Sequence, residues 1–304
     1  MADEQRFLDH LRSRATHEAA RGLLDDVALL TVGNARLILT SDTIVEGVHY
    51  LPGDPPQDIG WKLAAVNLSD LAAKGAQPLA CLLNYSLSGA AEWDAAFLDG
   101  LHAALERYGM PLIGGDTVKM PAGSARSYSL TAIGEATGDV PTRAGARAGH
   151  RLYVTGPVGD AGAGLDLLRC DAGAQGPLID AYRRPRPRIA EGVLLAPLAS
   201  AMMDLSDGLL IDAARMARAS GVAIRIDHIP LSPALEQARG ASLATRIAAA
   251  QAGDDYELLF VLPPDVTPPV HAIPVGEVAE GAGLSLRIDG APVPLPDRLG
   301  WQHG

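Results

Sequence analysis

Hydrophobic and polar positions alternate along the chain with periods of two and of about 3.6, which predicts strands and helices in turn. The chain begins with an amphipathic helix over 4–20, in which Phe7, Leu8 and Leu11 share one side. The first half continues with strands at 27–31, 36–40, 78–87, 112–113 and 128–136 and helices at 60–74 and 91–108. This alternation indicates sheets with helices packed against them.

A stretch rich in turn-forming residues over 138–149 lacks apolar periodicity, so we place a domain boundary near residue 140. The alternation then resumes, with strands at 151–155, 202–204, 222–227, 256–262 and 273–278 and helices at 160–169, 189–199 and 208–220. The sequence therefore predicts an α/β protein with mixed α+β sheets, divided into domains 1–139 and 140–304.

Length and charge narrow the classes of function. The 304 residues fit two domains of about 150 each, and the net charge of −11 argues against a general surface for nucleic acid or anionic membrane. With no apolar signal segment and no uninterrupted apolar run of about 18 residues, we expect a cytoplasmic protein. Cys81 and Cys170 lie in apolar stretches and are predicted to be buried, reduced thiols.

Aspartates next to Gly, Ser or Thr recur along the chain, most of them at the predicted end of a strand. The six segments are LDD at 24–26, TSDT at 40–43, NLSD at 67–70, GGDT at 114–117, DLSDG at 204–208 and GDDY at 253–256. Each one alone is better explained as a turn or a helix cap. Asp70 differs, because it falls inside an apolar helical run, where an unpaired carboxylate is costly.

Taken together, these segments indicate a site for metal ions and phosphate. Carboxylates gathered at one place repel each other and any phosphate unless cations lie between them. Mg²⁺ prefers such oxygen ligands, and several Mg²⁺ ions would neutralise the charge of a transferred phosphoryl group. The chain has no GxxxxGK[ST] motif, and 159–164 lacks the dinucleotide-binding spacing. The sequence thus favours an ATP site built around metal ions.

In this order the motifs resemble the thiamine-monophosphate kinase family of the aminoimidazole ribonucleotide synthetase (PurM-like) superfamily. The matching segments are LLDDVALL, TSDTIVEGVHY, AVNLSDLAAKGAQP, LIGGDT, TRAGARAGHRLYVTG, MDLSDGLLIDA, AGDDYELLF and the terminal GW. The resemblance implies an N-terminal domain for ATP, Mg²⁺ and dimerisation, and a C-terminal domain that completes the site. It also implies a homodimer and direct in-line transfer of the ATP γ-phosphoryl group onto thiamine monophosphate, the final step of thiamine diphosphate biosynthesis.

The resemblance also implies a role for individual residues. Metal ligands would be Asp26, Thr40, Ser41, Asp42, Asp70, Asp116, Asp204 and Asp207. ATP contacts would be Gly115, Asp116, Arg143 and Ser206, and thiamine-phosphate contacts would be His49, Asp254 and Trp301. Leu24 and Asp254 depart from the family's usual glycine and glutamate. No catalytic base is expected, because the acceptor oxygen is already anionic.

Alternatives stay open at this point. Arg143 is explained equally well as a solvated residue of the linker. Trp301, taken alone, is better explained as a C-terminal residue that covers the core. His49 and Asp254 have structural readings as a satisfied histidine and a turn cap. Other superfamily enzymes are aminoimidazole ribonucleotide synthetase, selenophosphate synthetase and the hydrogenase maturation dehydratase, although the chain lacks cysteine before Cys81 and at its end. The non-enzyme alternative is a nucleotide-binding regulatory module that has lost turnover.

Overall fold

The computed structural model describes residues 2–121 and 123–302, with side chains from residue 6 onwards. The first half builds one five-stranded sheet with two long helices. Its elements are α1 (Ala2–Arg12), a 3-10 helix (Glu18–Leu23), β1 (Ala28–Val32), β2 (Ala35–Val45), α2 (Pro56–Ala72), β3 (Gln77–Leu87), α3 (Ala91–Tyr108), β4 (Leu112–Lys119) and β5 (Ser127–Glu135).

The strands of this sheet lie in the order β1-β2-β5-β3-β4, and only the β3–β4 pair is parallel. One face packs on α2 and α3 through a core that includes Ile38, Leu63, Phe97 and Leu130. Along β5 the residues alternate strictly between buried and half-buried, as a strand with one covered face requires. The sheet therefore has one covered face and one open face.

The second half builds a seven-stranded mixed sheet in the order β12-β11-β8-β10-β6-β9-β7. Its strands are β6 (Arg151–Val154), β7 (Ala201–Asp204), β8 (Ala223–Ile226), β9 (Leu258–Leu262), β10 (Ile273–Ala279), β11 (Gly283–Ile288) and β12 (Ala291–Val293). Its helices are α4 (Asp160–Cys170), α5 (Pro177–Arg183), α6 (Ile189–Leu195), α7 (Leu209–Ser220), α8 (Pro233–Arg239) and α9 (Leu243–Gln251). The edge strand β7 and helix α6 pack against α2, so α2 joins the two halves.

The predicted class of mixed α/β sheets is confirmed, and several details differ. The helix predicted over 4–20 ends at Arg12, and Phe7 is 62% exposed, so its apolar side enters no core. β2 and β4 continue through Asp42 and Asp116, because both strands pair with neighbours along that length. Cys81 is buried as expected, whereas Cys170 is exposed at the end of α4. Within the described residues no helix has the length and apolarity to cross a membrane.

Two glycines allow α2 and α3 to pack closely. A Cβ atom on Gly60 would lie 2.1 Å from the carbonyl oxygen of Phe97, and one on Gly100 would lie 1.8 Å from that of Gln57. Backbone atoms cannot yield as a flexible side chain does, so each position excludes even a methyl group. The crossing fixes α2, which carries several of the residues of the candidate site.

We expect the Gly100→Ala variant to lower the free energy of unfolding by about 1–3 kcal/mol, because the added methyl group forces the helices apart. In an uncrowded helix the same change would stabilise by about 1 kcal/mol. Denaturant unfolding distinguishes the two results. Asp99→Ala on the exposed side of α3 is the matched control and should change stability by less than about 0.5 kcal/mol.

Candidate active site

Three carboxylates from distant segments meet beside α2, the helix that joins the two halves of the chain. Asp26 lies in the loop before β1, Asp70 near the end of α2, and Asp204 at the end of β7, and their ligand atoms all lie within 4.8 Å of one another. Asp70 and Asp204 are buried, and Asp26 is half-buried. Carboxylate oxygens this close can share a divalent cation. We call these three residues the carboxylate cluster.

Neighbouring polar groups orient the cluster. The Thr40 hydroxyl donates to Asp70 Oδ2, and Ser69 Oγ donates to Asp204 Oδ2 at 2.7 Å. The backbone N–H of Asp42 donates to Asn67 Oδ1 at 3.0 Å, which ties β2 to α2 beside the cluster. Thr40, predicted as a neutral ligand, thus lies against the carboxylates.

Burial and mutual repulsion shift the pKa values of these acids. Burial, followed by the charges of Asp26 and Asp207, raises the pKa of Asp42 to about 6. Burial, followed by the charge of Asp26, raises the pKa of Asp204 to about 8. The pKa of Asp70 is also raised, first by burial and then by the charges of Asp42, Asp204 and Asp26. Without cations between them, these groups keep their protons to a higher pH than an exposed aspartate does.

Asp26 behaves in the opposite way because cations surround it. Burial would raise its pKa, but Arg143, Lys74 and Arg215 together lower it. The guanidinium of Arg143 pairs directly with Asp26, and Lys74 Nζ lies 3.7 Å from Asp26 Oδ2. Arg143, predicted as an ATP contact, therefore lies at the edge of the cluster.

A second group of predicted residues gathers around Lys62. Its Nζ donates to Asp254 Oδ2 at 2.7 Å and to the carbonyl oxygen of His49 at 2.9 Å. The Tyr256 hydroxyl donates to Asp254 Oδ1 at 3.0 Å. The backbone N–H of Val45 donates to Nδ1 of His49, which fixes the ring of that residue. Two of the three predicted substrate contacts are thus joined by one buried lysine.

The predicted residues Ser206, Asp207 and Trp301 lie together in the C-terminal half. The backbone N–H of Trp301 donates to the carbonyl oxygen of Asp207 at 2.9 Å, and that of Asp254 donates to the carbonyl oxygen of Ser206 at 2.8 Å. The Asp207 carboxylate pairs with Arg215. Trp301 is 42% exposed and borders a cavity of about 320 Å³ beside Gly253.

Three predicted residues lie apart from the cluster within one chain. Ser41 faces the open side of the sheet, where its hydroxyl lies 3.0 Å from that of Thr131. Gly115 and Asp116 are exposed on β4, which β5 and β3 separate from β2. Three strand spacings amount to about 14 Å, too far for Asp116 to share a metal ion with Asp42.

The departures from the family pattern have local explanations. Leu24 is 62% exposed with φ of −104°, a backbone conformation open to any residue, so the loop does not need glycine there. Asp254 adopts φ of +68°, and its short carboxylate is held by Lys62. Neither departure displaces a residue of the carboxylate cluster.

The sequence interpretation missed the two buried lysines and two hydrogen-bonding partners of the site. Asn67, Ser69, Lys62 and Lys74 are all fully or almost fully buried. One signal was available: Asn67, Asp70 and Lys74 follow helical spacing within an otherwise apolar segment, which predicts a polar stripe on the helix expected at 60–74, although Lys74 lies just past the end of α2. A polar stripe on a buried helix indicates a functional or paired surface.

Two family models match the chain: AIR synthase related protein, N-terminal domain, over residues 24–136, and its C-terminal domain over residues 147–289. The thiamine-monophosphate kinase of Escherichia coli K12 is 38% identical over 318 residues, covering 98% of this chain and 96% of that protein. The thiamine-monophosphate kinase of Aquifex aeolicus is 35% identical, covering 92% of each.

Solved structures agree with these relatives. AaThiL complexed with AMPPCP and TMP has a TM-score of 0.87 at 32% identity, covering 98% of this chain and 96% of that one. The HypE–HypF complex, at 17% identity and a TM-score of 0.75, shares the fold alone. The resemblance predicted from the motifs is confirmed: the chain belongs to the thiamine-monophosphate kinase family of AIR synthase related proteins.

Proposed function

We propose that this chain transfers the γ-phosphoryl group of ATP onto thiamine monophosphate, giving thiamine diphosphate, with several Mg²⁺ ions at the carboxylate cluster. The observation that carries the proposal is the convergence of Asp26, Asp70 and Asp204 within 4.8 Å. The names of the relatives and the AMPPCP and TMP bound by AaThiL support the two substrates. The alternative is a regulatory module that has lost turnover. The chain keeps every predicted acidic ligand, which argues against such a loss.

The residues at the cluster fit Mg²⁺. All three cluster members offer hard oxygen atoms, and the buried Asp26 Oδ2 has no hydrogen-bond partner. Thr40, Asp42 and Asp207 would extend the set around further ions. When bound, Mg²⁺ neutralises the charge of the phosphates and of the group in transfer.

Other residues of the chain would place the substrates. Arg143 lies beside Asp26, where its guanidinium can turn from that carboxylate to a phosphate oxygen. Ser206, whose carbonyl oxygen accepts a hydrogen bond from the backbone N–H of Asp254, would contact ATP. His49, Asp254 and Trp301 would bind the thiamine part, Trp301 through cation–π contact with the thiazolium. Because Lys62 already balances Asp254, that carboxylate would orient the substrate more than attract it.

Incubation with ATP, Mg²⁺ and thiamine monophosphate should yield thiamine diphosphate, detected by chromatography. The Asp70→Asn variant should lose at least about 10²–10³-fold in rate, because charge stabilisation at the phosphates is lost. Its melting temperature in EDTA should stay at or above that of the unmodified protein, because the substitution removes a repelled buried carboxylate.

The matched control is Asp58→Asn, which removes only a peripheral ion pair with Arg184 and should keep activity. ATP binding without any diphosphate product would instead favour a regulatory module. Full activity in a folded Asp70→Asn variant would contradict the role of the cluster.

The raised pKa values predict a pH dependence of stability. Because the folded protein holds protons on Asp42 up to about pH 6 and on Asp204 up to about pH 8, it binds more protons than the unfolded chain above about pH 4. These acids therefore destabilise the metal-free protein as the pH rises through that range. Between pH 5.5 and 8.5 in EDTA, the unmodified protein should lose more thermal stability than Asp204→Asn does. Saturating Mg²⁺ should abolish this difference in slope, and equal slopes without metal would refute the assignment.

We also propose a homodimer. Exposed apolar side chains line β3 and β4, an unusual concentration for a sheet that faces only water, and they are Leu79, Leu82, Leu87, Leu112, Ile113 and Val118. Gly115 and Asp116 lie on the same exposed strand, so in one chain they stand away from the cluster. A second subunit packed on this surface would bring Gly115 and Asp116 of one chain beside the carboxylate cluster of the other. The ATP site would then be built from both subunits.

Coexpression of differently tagged Asp70→Asn and Asp116→Asn chains tests this arrangement. Each variant alone should be inactive, whereas heterodimers should regain one intact site, about a quarter of all sites after random pairing. Light scattering would report the dimer itself. A dimer whose mixed preparations stay inactive would place Asp116 in its own subunit's site, whereas an active Asp116→Asn variant would place it outside catalysis.

The remaining predictions of the sequence enter the proposal unchanged. We propose domains 1–139 and 140–304, a division that falls between the two family matches at 24–136 and 147–289. A cytoplasmic location without nucleic-acid or membrane partners is part of the same proposal.

A further inference from the structure

Lys74 is a fully buried cation behind the carboxylate cluster, and no role in substrate binding accounts for it. Its side chain has no exposed surface. Its Nζ donates to Asp25 Oδ1 at 2.6 Å and to the carbonyl oxygen of Met202 at 3.3 Å, and it lies 3.7 Å from Asp26 Oδ2. A buried ammonium is costly unless paired in this way, so its position is strongly determined.

The contacts of Lys74 reach all three segments that supply the cluster. Lys74 itself follows Asp70 by four residues, one helical turn further along the chain. Asp25 directly precedes Asp26, and Met202 lies two residues before Asp204 on β7. One ammonium group therefore links the loop, the helix and the strand whose carboxylates must meet.

The loop that carries Asp26 is anchored after that residue by Val27, which is buried in the core, but has little packing before Asp25. The 3-10 helix before it contains no buried residue, and Leu24 is 62% exposed. Arg21 and Leu23 both adopt positive φ, a strained conformation for these residues. The loop is instead attached to other segments by two ion pairs, Lys74–Asp25 at 2.6 Å and Arg143–Asp26, while the Arg21–Asp25 pair at 3.1 Å lies within the segment itself.

We propose that Lys74 is a positioning residue that holds the Asp25–Asp26 loop and β7 against α2 before any metal ion binds. The inference rests on the proposed metal site at the cluster. Two effects of Lys74 on a divalent cation oppose each other, since its charge repels the ion while its contacts preform the ligand set. The strained, sparsely packed loop makes the second effect the larger one, because outer partners that orient metal ligands strongly affect metal affinity.

The test separates charge from attachment. The double variant K74M/D25N removes one positive and one negative charge, so the net charge around the cluster stays the same while the link is lost. Hydrogen–deuterium exchange in EDTA should show amides at 19–27 exchanging at least about tenfold faster than in the unmodified protein. Binding of Mn²⁺, followed by electron paramagnetic resonance, should weaken by about tenfold or more.

Two further variants complete the experiment. R225Q/D227N removes an ion pair on β8 and the loop after it, and should change neither measurement. K74Q keeps a hydrogen-bond donor of similar length without the charge. If the double variant does not fold, the same two measurements on K74Q test whether Lys74 positions the loop. In K74Q we expect faster exchange at 19–27 and weaker Mn²⁺ binding.

Unchanged exchange at 19–27 in a folded K74M/D25N variant would overturn the proposal. Tighter Mn²⁺ binding by K74M with an unaltered loop would also overturn it, because Lys74 would then act through its charge alone. Absence of Mn²⁺ binding by the unmodified protein would count against the proposed metal site, whereas the exchange measurement would still decide the role of Lys74.

Discussion

The structure depends on the confinement of like charges. Asp26, Asp70 and Asp204 approach within 4.8 Å in a largely buried place, and Asp42 adds its charge to theirs. Burial disfavours the charge on each carboxylate, and the neighbouring carboxylates repel it. Both effects raise the pKa values of Asp42, Asp70 and Asp204. Assembling these acids lowers the stability of the fold, and the proposed cation site would give this arrangement a function.

Helix α2 organises both parts of the candidate site. Near its start, Lys62 joins Asp254 to the backbone of His49, and near its end Asp70 lies in the cluster. Eight residues of helix separate Lys62 from Asp70, or about 12 Å along the axis. The close crossing with α3 at Gly60 and Gly100 keeps this helix in place, so packing remote from the chemistry sets the spacing of the two groups.

Cations of the protein balance several of the acids at and around the candidate site. Lys62 neutralises Asp254, Lys74 neutralises Asp25, and Arg143 pairs with Asp26. Asp70 and Asp204 receive only hydroxyl donors, from Thr40 and Ser69. Protein cations thus lie at the edge of the site, and Asp70 and Asp204, the two cluster members without one, are those that the proposed metal ion would neutralise most.

The sequence by itself determined the type of most elements, the acidic motifs and the family, although it did not predict α5, α8, α9, β11 or β12. Asp70 stood out because a carboxylate inside an apolar helix needs a partner whatever the fold. Periodicity reports local geometry, however, so it gave neither the full length of β2 and β4 nor the opposite orientations of Thr40 and Ser41.

Only the tertiary structure decided which motifs meet. It brought Asp26, Asp70 and Asp204 together across 178 positions of sequence, the difference between residues 26 and 204, and left Asp116 on an exposed strand. It also identified Lys62 and Lys74, whose sequence surroundings look like those of ordinary helical lysines. The physical reason is that the free energy of a buried charge depends on neighbours from distant segments, and spacing along the chain does not specify them.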